Sequence, residues 1–503
     1  MKMVTCATYE GINANVVQVE STLTKGLPSF SIVGMASTAI TEAKERVKSA
    51  LLSNEFSFPP KRITINLAPS DVRKEGSQFD LSIALLIALD YLKDDLTEWF
   101  VFGELGLDGS VKENIQLYPL VLSLANQKLI SKAIVPHESL KKLSKIPHVE
   151  FYGVQTLGDA IELLKNQQLA QPSVEQSKIE FPSYTIDNTE YYFLNKYEDD
   201  FLDVKGQEVA KRAALISAAG FHNIVFEGSP GCGKSMIAKR LRYILPPLSS
   251  DEILDVAKLQ SLEGYEPSFE PLRNYQNPHH SSTQASIFGG GSHKAKIGEV
   301  GLAHQGILMF DELPYFAKNV LEALREPMQD NKIRISRVNS KIEYPADFLF
   351  VGAMNPCPCG NLLNANLECR CSELEIQRYK NRLSEPFLDR VDLNIVMQSV
   401  NVKDKASLSS KEMHERVIEV HKIIKNRGQE KFNAKLNDSD IEKFCVLSEE
   451  AKLTLDMAIQ RFTLSFRSIK KIQKVGRTIA DLDASELIEK KHILEALSYR
   501  RRA

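Results

Sequence analysis

Gly228-Ser229-Pro230-Gly231-Cys232-Gly233-Lys234-Ser235 has the form GxxxxGK[ST]. Its three glycines let the backbone turn N–H groups onto phosphate oxygens, and a helix beginning at the end of the run adds a favourable dipole. Lys234 places a cation on the β- and γ-phosphates, and Ser235 offers a hydroxyl to Mg²⁺. The flanks suit this chemistry: a strand is predicted over Asn223–Glu227, and MIAKRLRYIL reads as a helix. An accidental Gly-rich turn would require neither flank. Asp311 and Glu312 follow the apolar stretch Ile307–Phe310, which reads as a central buried strand. There Asp311 can hold the hydration shell of Mg²⁺ and Glu312 can polarise an attacking water; a simple cap for the next helix is the alternative. Asn355 ends a third such stretch, Phe348–Asn355. An amide at that place can orient water against a γ-phosphate, or it can be an ordinary turn residue.

A second constellation is made of thiols. Cys357-Pro-Cys359 and Cys369-Arg-Cys371 are two C-x-C pairs, whereas Cys6, Cys232 and Cys445 are isolated. Four thiolates can close a structural tetrahedral Zn²⁺ site, although C-x-C is tighter than the usual C-x₂₋₄-C spacing. An iron–sulfur cluster suits four cysteines too, and free thiols are the plain alternative. His279 and His280 have no carboxylate at helical i+4 spacing, so they read as part of a structural or DNA-facing loop and not as metal ligands.

These groups need a scaffold, and the chain is long enough to supply one. Its 503 residues, 43% hydrophobic and 25% charged, describe a globular protein of about three domains and exclude a disordered or collagen-like chain. A net charge of −2 argues against coating by nucleic acid through bulk charge, though a local basic surface remains compatible. The N-terminus lacks the basic-then-apolar pattern of a signal peptide. The longest apolar run, Leu81–Leu89, is too short to span a bilayer, so no membrane partner and a cytoplasmic location are expected.

Along the chain, residues 1–165 mix strands (Arg62–Pro69, Lys132–Pro136) with a buried helix (Asp80–Leu92) and read as α+β. Residues 166–200 are polar and aperiodic and read as a linker with an aromatic end. Residues 201–400 alternate helix and strand as an α/β nucleotide-binding core carrying a Cys-rich insertion at 355–372. Residues 401–503 keep helical spacing throughout and form an all-α domain.

The motifs taken together resemble the AAA+ ATPases, and among them the bacterial magnesium-chelatase-like proteins of the competence helicase (ComM) family. The resemblance rests on GLPSFSIVGMAS, FPPKRITINLAPSDVRKEGSQFDLSIAL and FGELGLDGSV in the first block. It continues through DVKGQEVAKRA, GSPGCGKS, NPHHSSTQASIFGGG, GEVGLAHQGILMFDELPYF, LEALREPM and AMNPCPCG, and ends in NRLSEPFLDRVDL and LSFRSIKKIQKVGRTIADLD. It implies a parallel-sheet P-loop core, a C-terminal helical lid, and a homo-oligomeric ring, usually a hexamer, with ATP bound between subunits. By the same resemblance Asn355 looks like the sensor on the fourth core strand, Arg390 like an arginine finger, and Arg467 like the second sensor. The implied activity is ATP hydrolysis with Mg²⁺ driving a motor on single-stranded or branched DNA: helicase action or branch migration in recombination and natural transformation. A chelatase-type motor for metal insertion and an ATP-dependent remodeller of protein complexes are the alternatives.

The first block is also similar to the domain that ends Lon proteases and recurs in RadA. Gln78 stands where the nucleophilic Ser belongs, Ser77 is displaced by one residue, and no Lys occurs from Asn114 through Gln127. Without a base a Ser is a weak nucleophile, so a non-proteolytic domain is expected. Lys61, Arg62, Arg73 and Lys74 are candidate phosphate contacts for DNA.

Overall fold

The computed structural model describes all residues except 1, 11, 36, 57, 91–95, 167–169, 291–295, 337–340, 365–366, 400–403 and 501–503. The predicted end of a helix at Leu92, the end of the GGGSH run and the domain boundary at residues 400–401 therefore lie outside the described residues. The chain divides into two compact units, Met1–Glu180 with Ala257–Phe269, and Phe181–Val256 with Glu270–Ala503.

The first unit is built on a seven-stranded mixed sheet. Its strands are β1 (Lys2–Glu10), β2 (Asn13–Thr24), β3 (Ser29–Val33), β4 (Arg62–Ala68), β5 (Leu96–Val101), β6 (Lys132–Pro136) and β7 (Glu150–Val154), in the order β3-β4-β2-β1-β5-β6-β7. β4 shows why the sequence forms such a sheet: Ile63, Ile65 and Leu67 alternate inward and are fully buried, as a two-residue period requires. Helices α1 (Thr38–Ser53), α2 (Asp80–Ala88) and α3 (Leu117–Asn126) accompany it. α2 is buried on nearly every side, including Asp80 at its start. That carboxylate is held by Arg46 of α1 through two bonds of 2.6 and 3.0 Å, the pairing that a buried charge demands. From the shorter segment of this unit, Phe269 packs edge-on against Tyr118 at 5.4 Å and Glu266 meets Lys142 at 2.7 Å.

The residues singled out as candidate DNA contacts are partly committed elsewhere. Lys74 is wholly buried, with its ammonium on the Pro69 carbonyl, so it is no surface cation. Arg73 pairs with Glu75 at 3.1 Å, and Lys61 with Asp90 at 3.7 Å. The protease-like positions are likewise occupied: the Gln78 amide donates to the carbonyls of Ala7 and Glu75, and the Ser77 hydroxyl donates to the Glu104 carboxylate.

The second unit is centred on a five-stranded, all-parallel sheet. It comprises β8 (Ile224–Gly228), β9 (Tyr275–Gln276), β10 (Ile307–Phe310), β11 (Leu349–Met354) and β12 (Leu393–Met397), in the order β9-β10-β11-β8-β12. Both faces of this sheet are covered, which is why its strands read as unbroken apolar runs. Ile224, Phe226, Ile307, Met309, Leu349 and Val351 enter one hydrophobic cluster; Val225, Leu308, Phe310, Phe348 and Phe350 enter another. The first cluster extends from α4 (Glu208–Gly220), through α5 (Lys234–Leu241), into the C-terminal helices α6 (Ser410–Asn426), α7 (Glu449–Phe462), α8 (Phe466–Leu482) and α9 (Lys490–Ser498). Met413, Val417, Ile472, Ile479 and Ile493 thus share a core with the sheet. A buried polar network braces these helices: Asp481 accepts from Arg427 at 2.6 Å and from Asn433 at 2.8 Å, and pairs with Arg477 at 3.0 Å.

Part of the expected linker is regular structure. Ser183–Ile186 and Thr189–Tyr192 form a hairpin extended by Leu248–Ser249, and the Tyr184 hydroxyl lies 2.6 Å from His421 Nδ1 on α6. Its aromatic residues explain the order, since rings bury large areas. Among the described residues no helix is long and apolar enough to cross a membrane.

Candidate functional site

Because β8, β11 and β10 are parallel and adjacent in that order, the residues following each strand emerge side by side on one edge of the sheet. The run from Gly228 to Ser235 joins β8 to α5. A Cβ on Gly228 would sit 2.7 Å from Cys232 Sγ and 3.0 Å from Met397 Cβ, which only glycine avoids. Gly231 and Gly233 adopt φ of +79° and +97°, and nothing occupies the space where their Cβ atoms would point. The Ser229 hydroxyl is buried without a partner among the described residues, and the first N–H groups of α5 have no intrahelical acceptor. Unspent donors around an open concavity fit a polyphosphate.

The charged members converge on this loop. Lys234 is buried, and its ammonium donates to the Gly228 carbonyl at 2.6 Å, the Ser229 carbonyl at 3.0 Å and Asn355 Oδ1 at 3.1 Å. Ser235 Oγ donates to Asp311 Oδ2 at 2.8 Å, and the Glu312 N–H donates to Asp311 Oδ1 at 2.9 Å. A hydroxyl beside a carboxylate is a hard oxygen pair suited to Mg²⁺. Glu312 itself has left-handed backbone, φ +52° and ψ +41°, directly after the strand.

His280, which from sequence belongs to a structural or DNA-facing loop, reaches the acid pair. Its Nδ1 lies 3.4 Å from Glu312 Oε2, and its ring lies tilted at 35° against His279 with centroids 4.1 Å apart. The signal was present in the strand order, because β9 pairs in parallel with β10 and His280 follows β9 by four residues. No motif spacing announces it.

Arg390 and Arg467 form a separate group. Arg390 donates to the carbonyls of Arg325 and Pro386 and to Gln329 Oε1. Arg467 pairs with Asp389 at 3.8 Å. Burial, then the neighbouring guanidinium groups of Arg467 and Arg325, lower the Arg390 pKa. None of these partners belongs to the phosphate loop.

The four cysteines of the insertion come together. Cys357 Sγ lies 3.4 Å from Cys359 Sγ and 3.7 Å from Cys369 Sγ, Cys359 and Cys369 are 3.6 Å apart, and all four sulfurs, Cys371 included, lie within 4.8 Å of one another. A tetrahedron with Zn–S of about 2.3 Å has edges of about 3.8 Å, so the set fits that ion. Backbone N–H groups of Asn361 and Arg370 bring the Cys359 thiol down to about 6, while desolvation and the neighbouring sulfurs push Cys371 up to about 12.

A phosphate loop on a parallel sheet, an acid pair two strands away, a polar side chain on the strand between and a helical region on the same core define the AAA+ class of P-loop ATPases. The chain belongs to the magnesium-chelatase-like family that includes competence protein ComM. The family model described as magnesium chelatase, subunit ChlI, matches residues 200–405; the models for subunit ChlI of Mg-chelatase and for the ChlI C-terminal part match 19–139 and 407–500. Competence protein ComM of Haemophilus influenzae is 38% identical over 97% of this chain and 95% of its own length. The uncharacterized protein YifB of Escherichia coli is 37% identical with the same coverage. A magnesium-chelatase 67 kDa subunit of Heliobacterium mobile is 24% identical over 38% of this chain and 34% of its own length.

Proposed function

We propose that this chain is an ATP-hydrolysing ring motor that acts on single-stranded or branched DNA, serving helicase or branch-migration steps in recombination and natural transformation. The observation that carries the reading is the convergence of Lys234, Ser235, Asp311 and Asn355 on one sheet edge, in a chain similar to a competence protein along nearly its whole length. The loop from Gly228 through Ser229, Pro230, Gly231, Cys232 and Gly233 cradles the phosphates. Lys234 exchanges its carbonyl partners for β- and γ-phosphate oxygens. Ser235 and Asp311 would hold Mg²⁺, which would neutralise charge on the phosphates. Glu312 takes the proton of the attacking water while Asn355 orients it. Arg390 is the finger that reaches the triphosphate of a neighbouring subunit in a homo-hexamer, and Arg467 is the second sensor, on the C-terminal helices.

The remaining parts follow the divisions 1–165, 166–200, 201–400 and 401–503. The first is a non-proteolytic domain related to those of Lon and RadA, a reading supported by the hydrogen bonds that occupy Ser77 and Gln78. Cys357, Cys359, Cys369 and Cys371 hold a structural Zn²⁺.

The test is the ATPase rate with and without forked DNA, alongside strand displacement. Stimulation together with unwinding is expected. ATP turnover indifferent to DNA, with no displacement, would overturn the DNA motor and favour the chelatase-type reading, which the partial similarity to the 67 kDa subunit supports.

A further inference from the structure

The thiol cluster lies against the phosphate loop. Asn355, which accepts from Lys234 at 3.1 Å, is two residues before Cys357. One residue beyond Cys359, Gly360 has φ of +80°, and a Cβ there would sit 2.6 Å from Pro230 Cδ and 2.7 Å from its Cγ. Gly360, directly after the first C-x-C pair, is therefore seated on Pro230 at the tip of the loop. Gly360 N–H closes a turn onto the Cys357 carbonyl at 3.0 Å. After the cluster, the helix Glu373–Lys380 returns to β8, where Lys380 meets Glu227 at 3.2 Å, one residue before Gly228.

The described leucines of this excursion build no apolar core. Leu362, Leu363 and Leu367 are exposed, at 40%, 41% and 57%. Cys357 is fully buried, at the root of the excursion. Drawing the four sulfurs together ties the two C-x-C pairs to each other and so ties Gly360 to the buried Cys357. The four sulfurs lie within 4.8 Å of one another, close enough for one soft divalent cation to bind all of them and hold the two pairs together.

We propose that the metal bound by these thiolates controls nucleotide affinity: filling the cluster fixes Gly360 against Pro230 and Asn355 against Lys234, and so pre-forms the phosphate loop. This rests on the thiolate-metal and ATP-site readings given above. By linkage the coupling is reciprocal, so nucleotide tightens metal retention by the same factor. The cation acts at a distance from the phosphates and takes no part in hydrolysis.

The experiment uses the full chain. Metal content is measured, and the affinity for a fluorescent ATP analogue is titrated in Mg²⁺ before and after removal of soft metal with a pyridine-type chelator that leaves Mg²⁺ free. Stripping is expected to weaken the analogue about tenfold or more, within the usual range of coupling between sites, with Zn²⁺ restoring it. Gly360→Val should keep one metal per chain yet bind the analogue about tenfold more weakly, because its side chain collides with Pro230. Protein that holds no metal although its four thiols are intact would overturn the metal reading and this inference with it. Metal that is present, and whose removal and return leave analogue affinity unchanged, would overturn the inference alone and leave the ATP site standing. Gly360→Val binding the analogue as tightly as the unaltered chain would remove the contact proposed to carry the coupling.

Discussion

His280 Nδ1 lies 3.4 Å from Glu312 Oε2, so the carboxylate read as the activator of water has a side-chain partner from the neighbouring strand's loop. The imidazole itself packs, tilted, against His279, whose Nδ1 accepts from the Ser281 N–H at 3.3 Å. Glu312 sits on left-handed backbone, and a partner that orients its carboxylate matters for a residue placed that way.

Glu312→Gln should retain ATP binding and lose hydrolysis by about 10²-fold or more, the usual contribution of a general base. His280→Ala should slow hydrolysis by a smaller factor, about tenfold, with nucleotide affinity unchanged, since it positions a catalytic group without touching phosphate. Single-turnover ATP cleavage beside equilibrium binding checks both. Equal rates in His280→Ala and the unaltered chain would show that Glu312 is oriented without it.

Lys234→Ala should abolish nucleotide binding. The backbone cradle remains, but the cation on the β- and γ-phosphates is gone. Isothermal titration with ATP and Mg²⁺ reads this directly, and unchanged affinity would move the site elsewhere.

Arg390→Ala should bind ATP normally and hydrolyse it about 10³-fold more slowly if the residue is a finger. A mixture of Arg390→Ala and Lys234→Ala subunits, each inactive alone, should recover turnover where an intact Lys234 meets an intact Arg390. Mixed rings that form and stay inactive would place the residue's action within its own chain, or nowhere near ATP.

Stability should fall as pH drops from about 6.5 to about 4. Burial lowers His414 to about 4, with its Nδ1 3.0 Å from the Tyr197 hydroxyl, so the native state refuses a proton that the unfolded chain accepts below its ordinary value. The loss is up to about 3 kcal/mol for this group. Burial places His304 likewise at about 4. Urea unfolding at stepped pH should show a shallower fall for His414→Gln; an identical slope would assign the acid sensitivity to other groups.

The parallel core and its phosphate loop were legible because their signals are local: glycines at fixed spacing between a strand and a helix, and apolar runs ending in Asp311 and Asn355. The first unit's alternation at Ile63, Ile65 and Leu67 was legible for the same reason. His280 was not, since its meeting with Glu312 depends on which strands are neighbours, a property of the sheet and not of any window of sequence. Lys74 misled in the opposite direction: a charged residue reads as surface, and only the folded chain reveals that the Pro69 carbonyl receives its ammonium. The hairpin at Ser183–Tyr192 hid behind polar composition, because its stability comes from rings meeting His421, far along the chain.

The first compact unit closes only with residues from beyond the phosphate loop: Glu266 on Lys142 and Phe269 on Tyr118. On the ribosome, the strand and helix that carry Gly228 to Leu241 are therefore made before the earlier unit has its last piece. A nascent chain arrested between these points would hold an unfinished first unit, exposed to proteases until synthesis passes Phe269. The same order dictates how the unit must be excised for expression alone: a fragment ending at Glu180 lacks those contacts, and one that joins Ala257–Phe269 to it by a short tether restores them.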